Sequence, residues 1–194
     1  MALFGISKRE AWQKFCETTT AEYIERGFLQ RGRIEMPFQS WVIVLDSHTI
    51  RTGRTNSTYT RIRTLYHKAR DFTFTITKRG VFVGIVYTIG AKQKTGNRRI
   101  DADYKTRCGD EQTIYTLFSN DRLSELFLAR PFKTYSHIKQ FKRSDTDTME
   151  LFFQAPGVVK ESEQLKNLFD LLGEALLALY EMGIVSDNAP KTML

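Results

Sequence analysis

Two hydrophobic periods alternate along this chain, and the switches between them mark its elements. Ser7-Lys8-Arg9-Glu10 has the Ser-x-x-Glu form of a capping box, after which Trp12, Phe15, Thr19 and Tyr23 recur at helical spacing up to Gly27. This predicts a helix of about 19 residues with an aromatic stripe facing a sheet. From Arg33 the period becomes two. Trp41, Ile43 and Leu45 alternate with Val42 and Val44, so both faces are apolar and the strand is expected to lie inside its sheet. Tyr59 to Tyr66 sets Arg61 and Arg63 on one face of the next strand, opposite Thr60, Ile62 and Thr64. Phe72, Phe74 and Ile76 follow, and Lys78-Arg79-Gly80 turns the chain into a strand expected over Val81 to Ile89.

The pattern then breaks at Gly90 to Arg99, which reads as an exposed basic hairpin tip before a strand over Ile100 to Arg107. Asp110 is a plausible N-cap for a helix through Ile114, Leu117 and Phe118, and a second helical piece, Leu123 to Ala129, stops at Pro131. Strands near Lys133 to Phe141 and Thr148 to Gln154 flank the polar turn Arg143 to Asp147. A helix over Glu161 to Met182 closes the order, with Leu165, Leu168, Phe169, Leu172, Leu176 and Leu179 on one stripe and Gly183 beyond its end. No proline lies between Pro37 and Pro131, which suits a sheet whose ladder needs every donor. The expectation is an α+β fold: an antiparallel meander sheet with N-terminal and C-terminal helices packed on one face. Residues 1–185 are expected to form one domain and 186–194 a flexible tail.

Composition sharpens this picture in one respect. Hydrophobic content of 41% and charged content of 26% are those of a globular chain, but the net charge of +7 is unevenly spread. Up to Arg107 there are 20 Lys and Arg against 9 Asp and Glu; after it there are 9 against 13. A cationic half suggests a negatively charged partner. The apolar runs are too short to cross a bilayer, and Met1 to Ile6 is too short for a secretory signal, so a cytoplasmic chain, peripheral at most to a membrane, is expected. Cys16 and Cys108 lack metal or redox spacing and read as ordinary reduced thiols.

Catalytic constellations are scarce. Asp46 and His48 share a strand face but have no third metal ligand nearby in sequence. Asp101 and Asp103 share a face of the strand expected over Ile100 to Arg107 and could act as paired carboxylates, although the cations around them would keep both ionised. Ser136-His-Ile-Lys139 has an acyl-enzyme spacing that works on a helix and not on the strand expected here. Gly90 and Gly96 miss the phosphate-loop pattern. No catalytic residue, metal or cofactor is therefore assigned. What remains is charge: Arg51, Arg54, Arg61 and Arg63 in one segment, and Lys92, Lys94, Arg98 and Arg99 in another. If these segments converge they form an anion-binding patch, with Tyr59, Tyr66 and Phe72 as stacking neighbours.

The stretch Phe4 to Trp12, then Trp41-Val-Ile-Val-Leu-Asp46, Tyr59-Thr-Arg-Ile-Arg63, Phe72-Thr-Phe-Thr-Ile76, Asp101 to Lys105 and the Leu-rich last helix together resemble a group of bacterial proteins, the DUF3137-like group. The resemblance spans residues 4–184. It implies an association with the cell envelope on its cytosolic side and brings no catalytic set. Three binding roles follow, headed by a noncatalytic module on an anionic membrane surface, with a nucleic-acid-binding protein and a homo-oligomeric interaction protein as alternatives. An enzyme would need a cleft assembled from distant residues.

Overall fold

A computed structural model of the chain describes residues 6–25, 32–79, 93–129, 137–142, 147–188 and 190. Its described elements run α1 (Lys8–Glu17), β1 (Glu22–Ile24), β2 (Arg33–Phe38), β3 (Trp41–Thr52), β4 (Thr55–His67), β5 (Phe74–Lys78), α2 (Arg98–Asp103), β6 (Tyr104–Cys108), α3 (Glu111–Phe118), α4 (Asp121–Ala129), β7 (His137–Lys142), β8 (Thr148–Pro156) and α5 (Ser162–Glu181). All strand pairings are antiparallel, and the sheet order is β1-β2-β3-β4-β8-β7-β5-β6. The fold is α+β, with helices at both ends of the chain.

One lateral row shows how the sequence pattern becomes a core. Ile34, Leu45, Ile62, Phe153, Ile138, Ile76 and Thr106 are successive register partners across seven strands. Of these, Ile34, Leu45, Ile62, Phe153 and Ile76 are at most 1% exposed. Partners in register point to one side of a pleated sheet, so these five buried side chains form the floor under the helices. Leu165, Leu168, Phe169, Leu172, Leu176 and Leu179 of α5 are all buried in the same core, and Phe15 of α1 stacks on Phe169 with ring centroids 5.7 Å apart.

Local chemistry explains three departures from the sequence pattern. The first helix ends at Glu17 and does not continue to Gly27: Thr18 and Thr19 turn their hydroxyls onto the Phe15 carbonyl, and Glu22 to Ile24 then pair with β2. Threonine hydroxyls compete for helix carbonyls in this way, and pairing rewards the extended form. The segment expected as a strand from Ile100 begins as a helix, because Asn97 accepts from the Arg99 and Ile100 amides and nucleates α2; only Tyr104 onward is extended. The meander accounts for β1 to β4, after which β8 and β7 intervene before β5 and β6. The expected strand over Val81 to Ile89, residues 133–136 of the next, most of the Arg143 to Asp147 turn and the last residues of the tail lie outside the described residues. Ser186 donates its amide to the His67 carbonyl, so the chain is still tied to the sheet there.

Gly173 gives a test of the packing of α5 on the sheet. A Cβ added there would stand 2.8 Å from the Phe38 ring. Gly→Ala in a helix interior normally gains roughly 0.5–1 kcal/mol, but overpacking a filled site costs roughly 1–3 kcal/mol. Gly173→Ala is therefore expected to lower the melting temperature, and a rise in a thermal scan would show that the ring yields at no cost.

Candidate functional site

The strand directions decide where the cations sit. With β3 running toward its turn at Gly53, the register places the Pro156 end of β8, the His137 end of β7, the Lys78 end of β5 and the Tyr104 end of β6 at that same end of the sheet. α2 precedes β6 and therefore also lies there. The two basic segments thus share one end of the sheet. They do not converge, because β8, β7 and β5 stand between β4 and β6. Four strand spacings amount to roughly 19 Å.

Of the expected eight cations, the seven that are described fall into two classes. Arg61 and Arg63 are committed internally. Asp46 on β3 accepts from Arg61 Nε at 3.0 Å and Nη2 at 2.8 Å, and from Arg63 Nη2 at 2.8 Å; Arg63 Nη1 lies 3.6 Å from Glu150. The side chains of Asp46, Arg63 and Glu150 are only 13%, 12% and 4% exposed, so this is a buried ion cluster and not a patch. Burial would raise the Asp46 carboxyl, but the hydrogen bonds and charges of the two arginines outweigh it and hold the carboxyl below its ordinary value. Burial also lowers the Arg63 guanidinium, against the pull of Asp46 and Glu150.

Arg51, Arg54, Lys94, Arg98 and Arg99 form the second class. All are exposed, and none of their side chains has an ion-pair or hydrogen-bond partner among the described residues. Arg51 and Arg54 sit at the tip of the β3–β4 hairpin; Arg98 and Arg99 open α2 and are not in a hairpin. Lys92 lies outside the described residues. Arg99 also borders a shallow cavity of about 260 Å³ with Ala102, Asp103, Tyr104 and Leu128. Of the stacking neighbours, Tyr66 and Phe72 are core residues, whereas half-buried Tyr59 stacks on His48 at 5.6 Å.

The candidate catalytic groups are used structurally. Asp101 and Asp103 are two apart on a helix and so diverge: the Asp101 carboxylate accepts from the Thr95 amide and hydroxyl, while Asp103 lies 3.8 Å from Lys78 Nζ. Asp46 serves the arginines and His48 the tyrosine. No cluster of His, Cys, Asp and Glu among the described residues could hold a metal. Ser136 is outside the described residues. Burial pushes the Cys16 thiol up to about 11 and also raises Cys108, so neither is an activated nucleophile. No described helix is long and apolar enough to cross a membrane.

The whole fold has a counterpart. It resembles a mycobacterial transport factor. The crystal structure of the mycobacterial trehalose monomycolate transport factor A, TtfA, superposes with a TM-score of 0.51 over 96% of this chain and 98% of that one, at 7% identity. At that identity the likeness concerns the fold alone. No family model matches the chain, and neither does any curated protein.

The sequence reading missed Asp46 as the partner of both arginines. A signal for it existed. A two-residue turn at Gly53-Arg54 fixes the hairpin register, and that register sets Asp46 opposite Arg61.

Proposed function

We propose that this protein is a noncatalytic module that docks on an anionic surface, foremost a membrane leaflet, through the end of the sheet that carries Arg51, Arg54, Lys94, Arg98 and Arg99. The observation that carries the reading is the contrast between these five exposed cations, which have no carboxylate partner among the described residues, and the two arginines that are internally neutralised. Two groups borne by strands roughly 19 Å apart suit an extended polyanion better than a small ligand. A like fold in a protein titled a transport factor supports a role outside catalysis, and the resemblance to the DUF3137-like group supports one at the envelope. Nucleic acid is the second reading, favoured by the two-stranded shape of the β3–β4 hairpin, which a major groove admits.

The test is co-sedimentation with phosphatidylcholine vesicles, with and without 30% phosphatidylglycerol, at low and high salt. Each cation near such a surface contributes about 1 kcal/mol, so reversing Arg51, Arg54, Arg98 and Arg99 together is expected to abolish pelleting. Equal pelleting with neutral and anionic vesicles would reject the reading.

A further inference from the structure

The β3–β4 hairpin extends beyond its neighbours. On one side β2 reaches only to Ile34 opposite Leu45 and Arg33 beyond it, and on the other β8 ends at Pro156 opposite Tyr59. Among the described residues, the pairs Thr49–Thr58, Ile50–Ser57, Arg51–Asn56 and Thr52–Thr55 therefore form an arm with no strand on either edge, roughly 13 Å long at about 3.3 Å per residue, with the Gly157 amide donating to the Thr58 carbonyl at its root. Two-stranded ribbons are marginal alone in water. This one is held by the Thr49–Thr58 hydroxyl bond at 2.9 Å, by His48 stacked on Tyr59, and by a turn in which Gly53 takes φ +59.

Its composition is unlike that of the rest of the chain. No acidic residue occurs between Asp46 and Asp71. Ile50, an apolar side chain 43% exposed, and Arg51 are consecutive on β3 and so stand on opposite faces of the ribbon, Arg54 lies in the turn, and the remaining arm positions are Thr, Ser, Asn and Gly. At the arm's base Lys8 Nζ bonds Ser47 Oγ, and Lys160 Nζ bonds the carbonyl of Ile6, itself 47% exposed. The arm thus carries Ile50, Arg51 and Arg54 toward its tip, while Lys8 is held at its root.

Resting on the docking role above, we propose that the β3–β4 arm is the element that enters the membrane: Ile50 anchors in the headgroup region while Arg51 and Arg54 pair with lipid phosphates. A short ribbon that presents an aliphatic side chain and, toward its tip, two arginines suits the interface, where the apolar part leaves water and each guanidinium can fork onto phosphate. The open edges set the depth. Toward the tip, backbone donors and acceptors without strand partners among the described residues need water or phosphate, so the arm stays among headgroups and does not enter the hydrocarbon. A nucleic-acid groove would use the arginines but gives the exposed Ile50 no comparable role.

The test separates the arm from the rest of the surface. Native protein, Ile50→Asp, Arg51→Glu/Arg54→Glu and Arg98→Glu/Arg99→Glu are each titrated with the anionic vesicles above, with circular dichroism melts confirming that each variant folds. The arm variants are expected to keep the native melting temperature. The Arg51/Arg54 reversal should weaken binding by roughly 30-fold or more, and Ile50→Asp should weaken it although it leaves every cation in place. A single Ile50→Trp reporter should shift its emission to the blue on anionic vesicles only. If both arm variants bind like native while Arg98→Glu/Arg99→Glu does not, the arm assignment fails and the docking role stands. If the native protein ignores anionic vesicles, both fail. If it prefers a duplex oligonucleotide and Arg51→Glu/Arg54→Glu removes that binding, the arm is a nucleic-acid reader and the membrane assignment is overturned.

Discussion

Asp46→Ala is expected to destabilise the protein by about 3–5 kcal/mol, the cost of leaving a buried ion without its partner. Asp46 is the shared acceptor of Arg61 and Arg63, and without it Arg63, 12% exposed, retains only Glu150 at 3.6 Å among the contacts described above. Chemical denaturation followed by circular dichroism measures the loss. A change below about 1 kcal/mol would mean that the cluster behaves like an exposed pair. The same carboxylate predicts an acid limb. Its folded pKa lies below the unfolded value, so its stabilisation is fully present above about pH 4, the unfolded aspartate range, and is lost as pH falls through the folded value. Asp46→Ala removes that contribution, so its stability should fall less steeply than native stability on acidification below pH of about 4. Replacing Asp46, Arg61, Arg63 and Glu150 together by apolar residues of similar volume should recover much of the loss, because the cost of breaking the cluster comes mainly from the stranded charge.

Trp12→Ala should be comparably severe, at about 3–5 kcal/mol. Trp12 is 0% exposed, and its Nε1 donates to the Val159 carbonyl at 2.9 Å, which ties α1 to the connection between β8 and α5. Alanine would leave a large cavity and strip a buried carbonyl of its donor, whereas Trp12→Phe keeps most of the packing and loses the hydrogen bond, for about 1–3 kcal/mol. A denaturant midpoint for Trp12→Ala within error of native would show that α1 contributes little to the core. Neither substitution touches the exposed cations, so vesicle binding by the folded fraction should persist for Trp12→Phe.

The sequence made the apolar rows legible because burial repeats with the period of the element. Leu165 to Leu179 repeats at helical spacing and is buried as α5; Trp41, Ile43 and Leu45 alternate and are buried as β3. Capping residues were equally direct: Ser7 and Asp110 cap α1 and α3 as their side-chain chemistry requires. The boundaries set by competition were not legible. Thr18 to Thr20 could continue a helix or leave it, and pairing with β2 decides; Asn97 could lie in a turn or cap a helix, and the Ile100 anchor in the core decides.

The candidate site divides along the same line. The sequence by itself determined which residues are cationic, that Arg61 and Arg63 share a strand face, and that one half of the chain is basic, because charge and the two-residue strand period are local properties. Only the tertiary structure decided which cations remain available. Antiparallel register brought Asp46 and Glu150 from neighbouring strands onto Arg61 and Arg63 and neutralised them, while unequal strand lengths left Arg51 and Arg54 without a carboxylate partner among the described residues. A charge pairs with whatever the fold sets within a few ångströms, and that neighbour is fixed by sheet order and register, which no single stretch of sequence contains.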